Sequence, residues 1–147
     1  MLEPTRTFRY PKQEKLKRRK LIERLFTEGE SVGQFPLRLV YLRVPEEQEA
    51  LQIAVSVSKK YFKKAVDRNY YKRMLRECYR LHQYRLKDHQ TQPYAMLFFY
   101  QTCERMDFAT IERKTQQLFD KWVTSQTLKN AENDVQKILK KDISFLP

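Results

Sequence analysis

The stretch from Ser56 to Arg80, SVSKKYFKKAVDRNYYKRMLRECYR, decides the fold. It opens at the end of an alternating run in which Ile53, Val55 and Val57 oppose Gln52, Ala54, Ser56 and Ser58, which predicts a strand over Leu51 to Ser58. It then switches to helical period. On a helical wheel Tyr71, Leu75, Cys78, Tyr79, His82 and Leu86 share one sector, and Asn69, Lys72, Arg73, Arg76 and Arg80 fall opposite. The spacing predicts a helix over about residues 65–88. Asp67 sits at its start, where a carboxylate complements the positive helix end. The stretch holds nine of the thirty Lys and Arg residues, opposed only by Asp67 and Glu77. A segment this basic with a regular apolar stripe packs one side on a sheet and offers the other to a polyanion. Nucleic acid fits best, because clustered cations release counterions from a phosphate backbone. Four such contacts would give a salt slope of about −3 in log affinity against log salt.

Working outward, residues 35–44 read as a strand with Phe35, Leu37, Leu39 and Tyr41 on one face, followed by the polar turn PEEQE at 45–49. YAMLFFY at 94–100 is apolar on both faces and suits a central strand. A helix is expected over about 12–28, with Leu21, Ile22, Leu25 and Phe26 on its apolar side and Gly29 as a left-handed cap. Another is expected over about 108–124, burying Ile111, Leu118, Phe119 and Trp122, and a short amphipathic one over about 131–141. The order helix, strands, helix, strand, helix implies a small α/β (α+β) two-layer sandwich, with a sheet of about four strands and three helices. Residues 1–123 form a single domain, of which 1–11 are an extended basic arm. Residues 124–147 are a C-terminal extension.

Composition narrows the function. A chain of 147 residues with net charge +12 is long enough for one domain with a real core, and its charge is that of a nucleic-acid binder. Only two glycines are present, which excludes a glycine-rich phosphate cradle and a dinucleotide fingerprint. Two cysteines make neither a zinc pattern nor a disulfide framework, so reduced thiols and a cytoplasmic location are expected. No apolar run is long enough to span a bilayer, and the N-terminus lacks a signal-peptide core. The histidines are His82 and His89, and His82 lies on the apolar sector, where packing is its expected role. No carboxylate cluster has metal-ligand spacing. No catalytic residue and no metal site are therefore expected in the protein itself.

At Ser56, Ser58, Lys59, Lys60, Ala65, Arg68, Asn69, Lys72, Arg73, Arg76 and Glu77 the chain resembles the bacterial ribonuclease P protein component family. That pattern is Ser or Thr, any residue, Ser or Ala, then Lys-Lys, and after an Ala the helical Arg-Asn-x-x-Lys-Arg-x-x-Arg-Glu. The resemblance covers about residues 12–123. It implies a protein that binds a catalytic RNA subunit and the 5′ leader of precursor tRNA, supporting Mg2+-dependent removal of that leader. The Mg2+ would be held mainly by RNA. It implies a left-handed crossover between parallel strands around the long helix, and a leader cleft between the sheet and that helix. It implies Arg68, Asn69, Lys72, Arg73 and Arg76 as contacts to the RNA subunit. Phe26, Ser56, Ser58, Lys59, Lys60, Lys63 and Lys64 would serve the leader and its phosphates, with Phe35 and Tyr41 as further stacking surface. The protein alone would be a monomer without catalytic activity. Tyr70 stands where the family usually has a third basic residue, and Ile22 where it often has a second aromatic. A ribosome-associated protein or an RNA chaperone is the main rival. A DNA-binding regulator fits poorly, since the basic helix is long and flanked by strands.

Overall fold

Alternating apolar residues build the sheet that positions everything else. The computed structural model describes residues 8–143, without the side chains at 130, 133, 134 and 136–143. The strands are β1 (Glu30–Gln34), β2 (Leu37–Arg43), β3 (Leu51–Val57) and β4 (Tyr94–Tyr100), in the order β1-β2-β4-β3. β4 is central, which explains its run of residues apolar on both faces. β2 runs antiparallel to β1 and to β4, whereas β3 runs parallel to β4 and is joined to it through α2 (Ala65–Lys87).

The two faces of the sheet are covered unequally. Leu37, Leu39, Tyr41, Ile53, Val57, Met96, Phe98 and Tyr100 meet α2 and α3 (Phe108–Ile143). Tyr71, Leu75, Cys78, Tyr79, Ile111, Leu118, Phe119 and Trp122 complete that core, as the periodicity predicts. On the opposite face Ala95 and Leu97, with Val40, Leu42 and Ala54, meet Leu16 and the Leu21 and Leu25 side chains of α1 (Arg19–Glu28). The expected sandwich therefore gains a partial third layer. With ten residues, α1 is too short to cover that face, and part of it stays open.

Several boundaries differ from expectation. The helix expected over 12–28 is split into a 3-10 turn at Lys12–Glu14 and α1, which begins only at Arg19. Between them the Leu16 amide donates to the Ile53 carbonyl at 3.1 Å, so the chain runs briefly as a strand neighbour. Lys15, Lys17, Arg18, Arg19 and Lys20 crowd this junction, and the contact to Ile53 rather than any helix breaker sets where α1 starts. Arg18 and Arg24 instead tie α1 to Glu47 and Glu46 in the turn after β2. Gly29 caps α1 but with φ −70°, not in the left-handed region. Crowding is what requires glycine there, since a Cβ would run into the Leu25 carbonyl and approach the Val40 side chain. The short helix expected over 131–141 is a continuation of α3, because no Gly or Pro interrupts residues 124–143.

Residues 1–7 of the expected arm lie outside the described residues. Residues 8–11 lie along α2. Arg80 donates to the Phe8 carbonyl at 3.1 Å, Gln83 to the Arg9 carbonyl at 2.7 Å, and Tyr10 meets Tyr79 edge-on at 5.1 Å. No helix among the described residues is long and apolar enough to cross a membrane. Both cysteines are free, with Cys78 buried and Cys103 exposed. Burial pushes the Cys78 thiol up to about 11. The thiolate is the reactive form, so at about pH 8 the native chain is expected to take up one alkylating group, at Cys103, and a second only in denaturant. Intact-mass measurement checks this; rapid double labelling of the native chain would show that Cys78 is accessible.

Candidate nucleic-acid interface

The outer side of α2 is a row of cations with few acids to quench it. Asn69, Arg73 and Arg76 are exposed and Lys72 is half-buried, while Tyr71, Leu75, Cys78 and Tyr79 one face away are buried. Glu77 is the acid nearest this row in sequence, and Arg80 takes it, with Nε to Oε2 at 3.0 Å. That pairing holds the Glu77 carboxyl below its usual range. The other ion pairs of α2 engage Asp67, His82, Arg85 and Lys87. Lys72, Arg73 and Arg76 are left without an acidic partner among the described residues. An unpaired cation is free to neutralise phosphate, and Arg does so with a planar two-pronged fork.

Arg68 behaves differently. Its Nη1 donates to the carbonyls of Phe62 and Lys63 at 2.9 and 2.7 Å. It fastens the loop between β3 and α2 to the first turn of the helix. The same loop carries Lys59, Lys60, Lys63 and Lys64, all exposed. Ser58 belongs to this turn and not to the sheet: β3 ends at Val57, and the Ser58 hydroxyl accepts from the Lys60 amide at 3.1 Å. Lys64 is the residue before α2, so the loop cations crowd the positive end of that helix and reinforce an anion-attracting field.

The open strip of the sheet lies beside α1, opposite α2. Among the described residues α2 packs directly on the other face, so the open strip lies beside α1 and not between the sheet and the basic helix. On the open side Arg38 and Ser56 flank Phe99 in register across β2, β4 and β3. Phe26, on α1, is 65% exposed and meets Phe99 edge-on at 6.3 Å. Phe35 is 62% exposed in the turn joining β1 to β2. Tyr41 faces the other way, buried against Tyr94 and Trp122, with its hydroxyl donating to Glu30 at 3.1 Å. It is a core residue and offers no stacking surface. The strip is thus an aromatic pair with a cation on one side and a hydroxyl on the other. Aromatic faces and a cation suit an unpaired strand, whose bases can stack without regard to sequence.

The residues that the sequence reading did not single out are Arg38, Phe99 and Gln101. Arg38 donates to the Ser31 hydroxyl at 2.8 Å and to Gln101 at 3.3 Å, which holds its guanidinium across the strip. Its signal was present, since alternation that buries Leu37, Leu39 and Tyr41 turns Arg38 to the opposite face. The β3–α2 loop joins the strip to the α2 row, because Val57 ends β3 and Ala65 begins α2. His82 is buried with Nε2 2.9 Å from Glu112, a bridge between α2 and α3. Among the described residues no three His, Cys, Asp or Glu side chains are grouped to hold a metal ion.

A family model described as Ribonuclease P matches residues 10–123. The ribonuclease P protein component of Porphyromonas gingivalis is 40% identical over 114 residues, covering 75% of this chain and 83% of that relative. That of Dictyoglomus turgidum is 40% identical over 79 residues, covering 54% of this chain and 64% of the relative. Among solved structures, the RNase P protein of Thermotoga maritima is 22% identical with TM-score 0.60, covering 74% of this chain and 96% of that one. The Staphylococcus aureus RNase P protein is 21% identical with TM-score 0.60, covering 71% and 91%. These two share the fold. With a sequence match over most of its length and the same arrangement of sheet and helices, the chain belongs to the ribonuclease P protein component family.

Proposed function

We propose that this chain, as the protein subunit of ribonuclease P, grips the RNA subunit with the outer side of α2 and guides the 5′ leader of precursor tRNA along the open strip beside α1. The observation that carries the reading is the set of unpaired cations Lys72, Arg73 and Arg76, aligned on a helix whose other side is locked into the core. The loop lysines Lys59, Lys60, Lys63 and Lys64 link the two surfaces and supply charge where a strand would pass from one to the other. Phe26 and Phe99 offer stacking surface, and Ser56 and Arg38 offer hydrogen bonds to sugar and phosphate. Asn69, beside the cations, can donate to and accept from a ribose hydroxyl or a base edge.

Hydrolysis belongs in this reading to the RNA subunit with its Mg2+, a cation that favours phosphate oxygens and water over protein side chains. The donor sets described here do not fit a protein-held metal, and no catalytic step is assigned to the protein. Its part is to bind and to orient. In this reading the isolated protein is a cytoplasmic monomer.

Reconstitution tests the reading. Purified protein in ample Mg2+ is expected to leave precursor tRNA intact. Added to the RNA subunit of its own cell at low Mg2+, it is expected to raise the rate of leader removal. Cleavage by protein alone, or no stimulation, would overturn the assignment. A ribosome-associated RNA-binding protein would give no stimulation.

A further inference from the structure

Beside the cation row, and sharing Asn69 and Arg73 with it, lies a recess that also holds Tyr70 and Arg105. It lies between α2 and the loop from β4 to α3, with a volume of about 680 Å³, and Asn69, Tyr70, Arg73, Arg105 and Met106 line it. That size falls within the range of small-molecule sites, though this recess is open to solvent. Tyr70 is the unusual feature. It is 54% exposed, whereas most of the chain's tyrosines are buried or half-buried. Its neighbour Tyr71 is fixed in near-parallel contact with Phe62 and Tyr100, both at 4.7 Å. Tyr70 meets Tyr71 at 5.1 Å and 89°, so an ordered aromatic platform supports an exposed ring.

Arg105 lines the recess from the β4–α3 loop and is itself held in place. Its Nη2 lies 3.1 Å from Asp67 and its guanidinium stands over the Phe62 ring at 5.4 Å. Arg73 is exposed at the rim and has no acidic partner among the described residues. A large exposed ring in one recess with two arginines and an amide that both donates and accepts matches one ligand chemistry well. An unpaired nucleobase has a π-face for Tyr70, polar edges for Asn69 and a flanking phosphate for Arg73 or Arg105.

We propose that this recess receives a single unpaired base of the RNA subunit, stacked on Tyr70, with Arg73 and Arg105 at its flanking phosphates. The proposal rests on the RNA-binding reading of α2 and adds to it a site for an extruded base. Stacking carries no charge, so it is separable from phosphate contact. Binding of the full chain to the RNA subunit of its own cell, titrated across KCl concentrations, makes the separation. Tyr70→Ala is expected to weaken binding roughly 5- to 150-fold with the salt slope unchanged. Tyr70→Phe keeps the ring and is expected to bind as the parent. Tyr70→Lys restores charge without the ring, and its slope is expected to steepen by about 0.7 to 0.9. Probing with dimethyl sulfate for A and C and with a carbodiimide for U and G is expected to show one unpaired base protected by the parent and by Tyr70→Phe, and exposed with Tyr70→Ala.

Parent-like affinity for Tyr70→Ala, or an unchanged protection pattern, would overturn the base site. Arg76→Ala is the control that tells the two readings apart, since Arg76 does not line the recess. If Arg76→Ala reduces the salt slope while Tyr70→Ala changes nothing, the base site fails and the cationic grip stands. If Arg76→Ala also changes nothing, both fail together.

Discussion

Replacing Lys72, Arg73 and Arg76 together with alanine is expected to cut the salt slope for binding the RNA subunit by about 2 to 3. Each phosphate contact contributes about 0.7 to 0.9 to that slope through released counterions. Raising salt fourfold would then cost the parent roughly 16- to 64-fold more affinity than it costs the variant. The fold should tolerate the change, because Arg73 and Arg76 are exposed and none of the three is in an ion pair with a described residue. Surface substitutions of that kind usually stay within about 0.5 kcal/mol. Thermal melts separate lost binding from lost folding. A variant that melts like the parent and keeps the parental slope would show that RNA does not lie on this side of α2.

Trp122→Ala is expected to destabilise the chain by about 3 to 5 kcal/mol, the range for emptying a large aromatic site. Trp122 is 1% exposed and sits where α3 crosses the sheet. Tyr94 and Tyr41 meet its ring edge-on at 5.2 and 6.0 Å. Its indole Nε1 is buried with no hydrogen-bond partner among the described residues. A buried unpaired donor carries its own penalty, about 1 to 3 kcal/mol. Trp122→Phe removes that donor and keeps an aromatic body, so it should cost far less than alanine. Urea denaturation of both variants measures the difference. A loss for Trp122→Phe equal to that for alanine would overturn this expectation.

Where the sequence was legible, a strong period decided the outcome. α2 emerged within a residue of its bounds because a dense apolar stripe and a dense cationic stripe share one helical repeat. β4 was legible from YAMLFFY, since few environments other than a central strand accept seven such residues. β1 was not: ESVGQ carries one buried apolar residue, Val32, and its strand character comes from pairing with β2. The break before α1 was equally hidden, because LKRRK contains no helix breaker and the cause is a tertiary contact to Ile53. Tyr41 shows the same limit at the site. Its alternation with Leu37 and Leu39 told which residues share a face, but not that α3 covers that face. Arg68 was legible as a cation in a motif, and its commitment to the loop carbonyls of Phe62 and Lys63 is set by the fold.

The strand order has a bearing on synthesis. β3 touches no strand except β4, which follows it by way of the whole of α2. During translation, then, β3 and the basic helix leave the ribosome before the strand that docks them has been made. Until about residue 100 emerges, the helix has cations on one flank and an uncovered greasy flank on the other. Nascent chains in that condition are prone to mispair and aggregate. The last strand to enter the sheet is also the one that turns a sticky polycation into a shaped instrument.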